Sequence, residues 1–370
     1  MSAHSDFTQR LFSRVLGDSH QNLPGVQDDW GMARPLSTRR RVGDAVESAA
    51  ARMRMSRRHF EPEEAGARLA AIAALSEELA RTDSLLADEA SRDLLLDVIS
   101  TRVLGEHHAR LPVSQAEFRA ACARIDEDMR EESDVDASEG GGSLHRYAVP
   151  GRRGSVTLIG VAFLVHEFFG AEQYALRRPG VTIAPELGDV VIDGGGGWGE
   201  TALYFADAVG AGGLVLSFEF VADNLRLFGR NMALNPHLRD QVRLVAHPIW
   251  SAPGVDLAYA PAGGQTSVAA PAGATEEART ESIDHACAEH GIDQVDFLKL
   301  DVEGAEMEAL RGAEQTIRRA RPKLALSVYH RDEDLARIPA WVHDLGLGYR
   351  LFMDHSWPGP AETVLFAQPT

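Results

Sequence analysis

Val190-Val191-Ile192-Asp193-Gly194-Gly195-Gly196-Gly197-Trp198-Gly199-Glu200-Thr201 opens with three β-branched residues and runs straight into glycine. The β-branched residues read as a short strand. Four consecutive residues without a Cβ cannot prolong it; they let the backbone turn tightly and approach a ligand closely. A helical pattern resumes through Leu203 and Phe205. Strand, glycine turn and helix form the first unit of an open α/β sheet, whose strand ends receive ligands where the winding reverses.

The downstream chain repeats this alternation. Leu214–Phe218 and Val242–Val245 read as strands around a helix over 222–234. Ser282–His290 reads as a helix, Phe297–Leu300 as a strand and Ala305–Arg319 as a helix, then Leu324–Val328 as a strand and Leu335–Leu345 as a helix. Such a sequence predicts a parallel sheet with helices on both faces. The closing strands, Tyr349–Met353 and Thr363–Phe366, are joined by a Pro/Gly-containing loop too short for a crossover helix, so they must pair antiparallel. The fold class expected is α/β, a Rossmann-like doubly wound sheet with an antiparallel C-terminal strand, preceded by a helical region.

Upstream, Leu69, Ile72, Leu75 and Leu79, then Leu95, Val98, Ile99 and Val103, recur at helical spacing, with Asp88 or Ser91 placed to cap the second helix. Phe118, Cys122, Ile125 and Met129 mark a third helical face, and an acidic stretch ending in Gly140-Gly141-Gly142 reads as a linker. Leu144–Val149 and Val156–Ile159 flank the turn Pro150–Gly154 as a hairpin. The organisation expected is a flexible or loosely docked segment over 1–60, a helical cap or dimerisation region with its linker over 61–142, and a ligand-binding domain over 143–370.

The 370 residues carry a formal net charge of −18, which argues against a nucleic-acid partner. No apolar run reaches the ~18 residues of a membrane span, and no signal-peptide pattern opens the chain. Cys122 and Cys287 are too few for a disulfide framework, and a cytoplasmic location is expected. Lys299 and Lys323 are the only lysines, and both fall in predicted strands.

The glycine run fits two templates. Gly194-x-Gly196-x-x-Gly199 suits a dinucleotide; Gly195-x-Gly197-x-Gly199 suits S-adenosylmethionine. Asp193 at the strand end would face the cationic end of S-adenosylmethionine and repel a pyrophosphate. Glu219, ending the next strand, would accept hydrogen bonds from ribose hydroxyls in either case. Tyr174 would lean over the methionine end, and Trp250 would pack on the adenine.

With these residues placed, the chain resembles the FkbM family of methyltransferases. The resemblance rests on Val191–Thr201, Phe218-Glu219, Thr280–Asp284, Leu326–His330 and, most specifically, Lys299-Leu300-Asp301-Val302-Glu303-Gly304-Ala305-Glu306. It covers roughly residues 155–370, and departs from the family where Phe220 follows the ribose acid and where Gly196 and Gly197 stand in the loop. It implies S-adenosylmethionine binding and methyl transfer to a hydroxyl of a sugar or small natural product.

Oxygen methylation requires removal of a hydroxyl proton, by a base, a metal or both. Asp301, Glu303 and His330 follow adjacent strands and should share one cleft. They are the candidate catalytic residues and a candidate ligand set for magnesium or manganese. Glu306, in the first turn of a helix, reads as a cap. His355 could line the acceptor pocket. The partner expected is a small-molecule or glycan acceptor, with the N-terminal helices as a homo-oligomer contact. Two rival readings are a nicotinamide-dependent oxidoreductase and a non-catalytic scaffold that binds cofactor.

Overall fold

The computed structural model describes residues 3–19, 62–105, 108–131, 144–260 and 274–370. In chain order, β1 (Arg130–Glu131), β2 (His145–Gly151) and β3 (Gly154–Gly160) form a small antiparallel sheet, and β4 (Leu176–Arg178) and β5 (Val181–Ile183) a short hairpin. Then come β6 (Val190–Gly194), β7 (Leu214–Phe218) and β8 (Val242–Val245), the hairpin β9 (Asp256–Tyr259) and β10 (Glu276–Arg279), and finally β11 (Phe297–Leu300), β12 (Lys323–Ser327), β13 (Arg350–His355) and β14 (Thr363–Gln368). The main sheet has seven strands in the order β13-β14-β12-β11-β6-β7-β8. Its pairs are parallel from β12 to β8, and β14 runs antiparallel to both β12 and β13.

The strands are apolar on both faces because both faces are covered. Ile192, Leu216, Leu298 and Leu326 enter one core; Val191, Val215, Phe297 and Ala325 enter the other. From β6 the chain winds outward through β7 and β8, then returns to lay β11 on the other side of β6. That reversal opens a crevice at the carboxyl ends of β6 and β11, the place an open α/β sheet offers a ligand.

The N-terminal helices belong to the first of these cores. Phe7, Leu11 and Val15 of the helix Ala3–Asp18 are buried with Leu79, Leu95 and Ile99. Residues 3–18, expected within a flexible or loosely docked segment, are thus a packed helix; residues 20–60 and the glycine linker lie outside the described residues. Asp88 caps the helix Glu89–Leu104 by accepting from the Ser91 amide at 2.8 Å. The region is tied to the sheet edge: the Ala87 amide donates to the Leu351 carbonyl at 2.8 Å, and Arg178 bonds Asp88, Ser91, Asp354 and the Met353 carbonyl.

Two departures from the expected elements have local causes. The helix expected over 305–319 is two, Glu306–Arg311 and Glu314–Ala320. A Cβ on Gly312 would stand 2.1 Å from the Trp250 carbonyl oxygen, so the break follows a close backbone approach. The hairpin β9–β10 was not anticipated within a Pro/Gly/Ala-rich stretch, part of which lies outside the described residues. Among the described residues no helix is long and apolar enough to cross a membrane.

Arg102, on the helix Glu89–Leu104, donates to the carbonyls of Val328, Tyr329 and Arg331, each at 3.2 Å, and pairs with Asp332 at 3.0 Å. It holds the segment that follows β12. Arg102→Ala strips these acceptors of a charged donor and should cost about 2–4 kcal/mol in urea unfolding. A midpoint equal to that of the unaltered protein would show that the helical region does not brace this segment.

Candidate functional site

The glycine turn is forced at several points. Gly195, Gly197 and Gly199 have φ of +85°, +52° and +90°. A Cβ on Gly195 would lie 1.9 Å from the Asp301 carbonyl oxygen, and one on Gly196 would lie 2.3 Å from Ser217 Oγ. The Gly195 and Gly196 amides donate to the Phe218 carbonyl at 3.1 and 2.8 Å. The turn is therefore wedged between the ends of β7 and β11, and only bare backbone fits.

Asp193 does not face the crevice as a free carboxylate. It is fully buried, 3.2 Å from Lys299 Nζ, and accepts from Thr201 Oγ1 at 2.9 Å and Ser217 Oγ at 2.8 Å. Lys299 also donates to the carbonyls of Gly194 at 3.0 Å and Gly195 at 2.5 Å. Asp193 thus anchors the turn from below, and with its charge neutralised it cannot serve as the acid that repels a pyrophosphate. Glu200, at the start of the helix Glu200–Val209, is the acid the sequence reading passed over. It is buried, one of its carboxylate oxygens has no partner, and a Cβ on Gly197 would meet its other oxygen at 2.9 Å. Burial pushes its pKa up to about 7.

Glu219 stands where expected, at the carboxyl end of β7. Its Oε1 accepts from the amides of Phe220 and Val221 at 2.6 and 2.8 Å, and its Oε2 from Asn224 at 3.1 Å. Burial raises its pKa in spite of these donors. Phe220 begins an apolar patch with Trp250, Leu257, Tyr259 and Val302, the Phe220 and Tyr259 rings meeting edge to face at 5.0 Å. Trp250 is therefore close to Glu219, within a packed patch roofed by β9 and β10.

On the opposite side, Asp301, Glu303 and His330 are brought together as expected, and Tyr174 joins them. Asp301 accepts from Tyr174 Oη at 2.6 Å and from Tyr329 Oη at 3.0 Å. Burial would raise its pKa, but His330, Lys299 and the two phenols outweigh it and hold the carboxyl below the ordinary range. Tyr174 is buried, with Lys299 Nζ 5.1 Å from the centre of its ring, so it sits between the turn and Asp301. Glu303 adopts φ +53° on the turn before Gly304, and burial raises its pKa. Glu306 accepts from the amides of Val302 and Gly304 at 3.0 and 3.3 Å, the capping role its position predicted.

His330 is the departure. Its Nε2 lies 3.4 Å from both Asp301 and Glu303, and its Nδ1 lies 2.9 Å from Glu306. Burial alone would lower its pKa; the three carboxylates raise it to about 11. The imidazole is then a cation at neutral pH. A cation has no lone pair for a substrate proton or a metal, so the ring neutralises the acids around it. The ligand atoms that cluster within 4.8 Å are those of Asp301, Glu306 and His330, with Glu306 in the place expected for Glu303.

Glu362, in the loop before β14, was also missed. It has φ +64° and accepts from Gln173 Nε2 at 2.6 Å; burial and Asp301 push its pKa up to about 8. No sequence pattern marks a left-handed glutamate. Beyond it opens a cavity of about 440 Å³ between the helix Gln115–Asp128 and the β13–β14 hairpin, with His355 on its wall.

Sheet order and glycine turn together define the fold of class I, S-adenosylmethionine-dependent methyltransferases. Residues 181–351 match the family described as methyltransferase FkbM domain. The chain is similar to a solved methyltransferase FkbM from Methylobacillus flagellatus KT, with a TM-score of 0.51 at 17% identity, over 81% of this chain and 60% of that one. It thus spans less than two thirds of that protein. Slighter likenesses are to Aeropyrum pernix fibrillarin in complex with natively bound S-adenosyl-L-methionine (14% identity, TM-score 0.33, 50% of this chain and 67% of that one) and to a Thermotoga maritima SAM-dependent O-methyltransferase (16%, 0.33, 66% and 87%). No curated protein matches the chain.

Asp193→Asn leaves Lys299 as an uncompensated buried charge and should cost about 3–5 kcal/mol in chemical unfolding, while adding Lys299→Met should recover a large part of the loss. Additive losses in the two single variants and the double variant would contradict the pairing.

Proposed function

We propose that the protein is an S-adenosylmethionine-dependent O-methyltransferase acting on a hydroxyl of a sugar or small natural product. The observation that carries this reading is Glu200, a buried and partly unpartnered carboxylate beside the glycine turn, where a cationic ligand would complete the charge. Glu219, oriented by two amides, is placed for ribose hydroxyls, and Phe220 with Trp250 for the adenine. A nicotinamide dinucleotide would bring a pyrophosphate to the same turn, against Glu200. When bound, S-adenosylmethionine supplies an electrophilic methyl group. Around it the chain's own residues keep water out and hold charge: Tyr174 and Tyr329 fix Asp301, and His330 offsets the acids. The acid and tyrosine network gives the site proton acceptors, which a scaffold would not need.

A second reading, assistance by magnesium or manganese, is favoured by the clustering of Asp301, Glu306 and His330 ligand atoms. In that case His330 would bind as the neutral imidazole, its proton replaced by the ion. Exhaustive chelation separates the two: turnover is unchanged in the metal-free reading and lost, then restored by the ion, in the other.

Glu200 is neutral below its pKa of about 7 and a carboxylate above it. Affinity for the cationic cofactor should therefore rise roughly five- to tenfold between about pH 6 and about pH 8, and Glu200→Gln should flatten the rise. Calorimetry checks both, and an absence of S-adenosylmethionine binding at any pH would sink the proposal.

A further inference from the structure

A cavity of about 440 Å³ lies beside Glu362, and the residues assigned to the cofactor do not line it. Its wall is mixed. Phe118 supplies an aromatic face, Val113 and Val364 apolar patches, and His166 and His355 hydrogen-bonding edges. Burial lowers the pKa of both imidazoles, His355 to about 4, so each is neutral; His355 Nδ1 meets Thr363 at 2.9 Å, which leaves its Nε2 for a ligand. Glu172 and Asp354 on the wall are already paired with Arg177 and Arg178. A single exposed guanidinium, Arg124, makes no cradle for a phosphate. An aromatic face with neutral donors and acceptors suits a ring that is apolar on its flat side and hydroxylated at its rim. About 440 Å³ is within the size range of small-molecule pockets.

Glu362 lies on this wall and also reaches the crevice. Its carboxylate lies next to Tyr329, whose hydroxyl donates to Asp301, whose amide in turn donates to the Gly194 carbonyl at 3.0 Å. Gln173, from the segment leading to Tyr174, fixes its other side at 2.6 Å. We infer that this cavity is the acceptor site, that it takes an uncharged pyranose-like polyol rather than a phosphorylated sugar, and that Glu362 accepts the proton of the hydroxyl being methylated. The inference rests on the methyltransferase reading above and specifies its second substrate.

The transfer balances on these groups. As the acceptor oxygen bonds the methyl carbon, the carbon–sulfur bond breaks and its electron pair stays on sulfur, which becomes a neutral thioether. The hydroxyl proton passes to the Glu362 carboxylate. A carboxylate held with a pKa of about 8 is a stronger base than an ordinary glutamate, and its charged form predominates above that pH.

The test uses the whole protein, labelled S-adenosylmethionine and a panel of methyl pyranosides, with UDP-glucose, a catechol and a primary amine as competing classes. Calorimetry follows S-adenosylhomocysteine and each acceptor separately. At least one pyranoside should bind and be methylated. Glu362→Gln should lower kcat at least about 100-fold with acceptor KM and S-adenosylhomocysteine affinity nearly unchanged. Ala121→Trp, which fills the cavity from the helix Gln115–Asp128, should abolish pyranoside binding and spare S-adenosylhomocysteine binding; Val113→Trp serves from another part of the wall if the first variant does not fold. The inference falls if S-adenosylhomocysteine binds but no pyranoside does, if transfer goes to UDP-glucose, the catechol or the amine instead, or if either kind of variant keeps full turnover. Failure of the unaltered protein to bind S-adenosylhomocysteine would strike the underlying methyltransferase reading.

Discussion

Lys299 and Asp193 meet in the fully buried space where β11 lies against β6, and the site is assembled around that contact. Two charges removed from water carry a large desolvation cost, recovered only when the remaining donors and acceptors are also satisfied. Most are: the ammonium bonds the Gly194 and Gly195 carbonyls, and one carboxylate oxygen takes the hydroxyls of Ser217 and Thr201 while the other faces the ammonium at 3.2 Å. One interaction therefore fixes the two strands on either side of the switch point, the end of β7 through Ser217, the start of the next helix through Thr201, and the path of the glycine turn.

With the turn pinned, the remaining charges fall into two groups. Glu200 and Glu219 stand beside the glycine turn and the end of β7, the first with an unpartnered oxygen and the second already oriented by backbone amides. Asp301, Glu303, Glu306 and Glu362 stand beyond the ends of β11 and β12, where His330 and two tyrosine hydroxyls compensate part of the charge. The environments differ in kind, so acids of one chemical type can divide the work. Those held as anions organise the site, and those raised toward neutrality are available to bind a cation or receive a proton.

Much of this frame was legible in the sequence. The alternation of strands and helices implied a parallel sheet covered on both faces, and the short loop between the last two strands implied their antiparallel pairing. The glycine run located the ligand end, and the Lys299–Glu306 block brought its acids to the neighbouring strand. What could not be read was set by distant partners. Asp193 faces inward because Lys299, far away in sequence, lies beneath it. His330 is a cation because three carboxylates from another segment surround it at once. Gly312 breaks a helix because the Trp250 carbonyl occupies the space of its Cβ. Glu362 reaches the site through a left-handed backbone that its residue type does not announce. The helix Ala3–Asp18 looked unpatterned because only Phe7, Leu11 and Val15 turn inward, a stripe too narrow to stand out among arginines and serines.

The most direct test is a crystal structure of the protein with S-adenosylhomocysteine bound. The account predicts the ribose hydroxyls on Glu219, the adenine against Phe220 and Trp250, the amino-acid end over the glycine turn near Glu200, and the sulfur facing the Glu362 side of the crevice. A nucleoside bound elsewhere, or one whose sulfur faces away from Glu362 and its cavity, would contradict it.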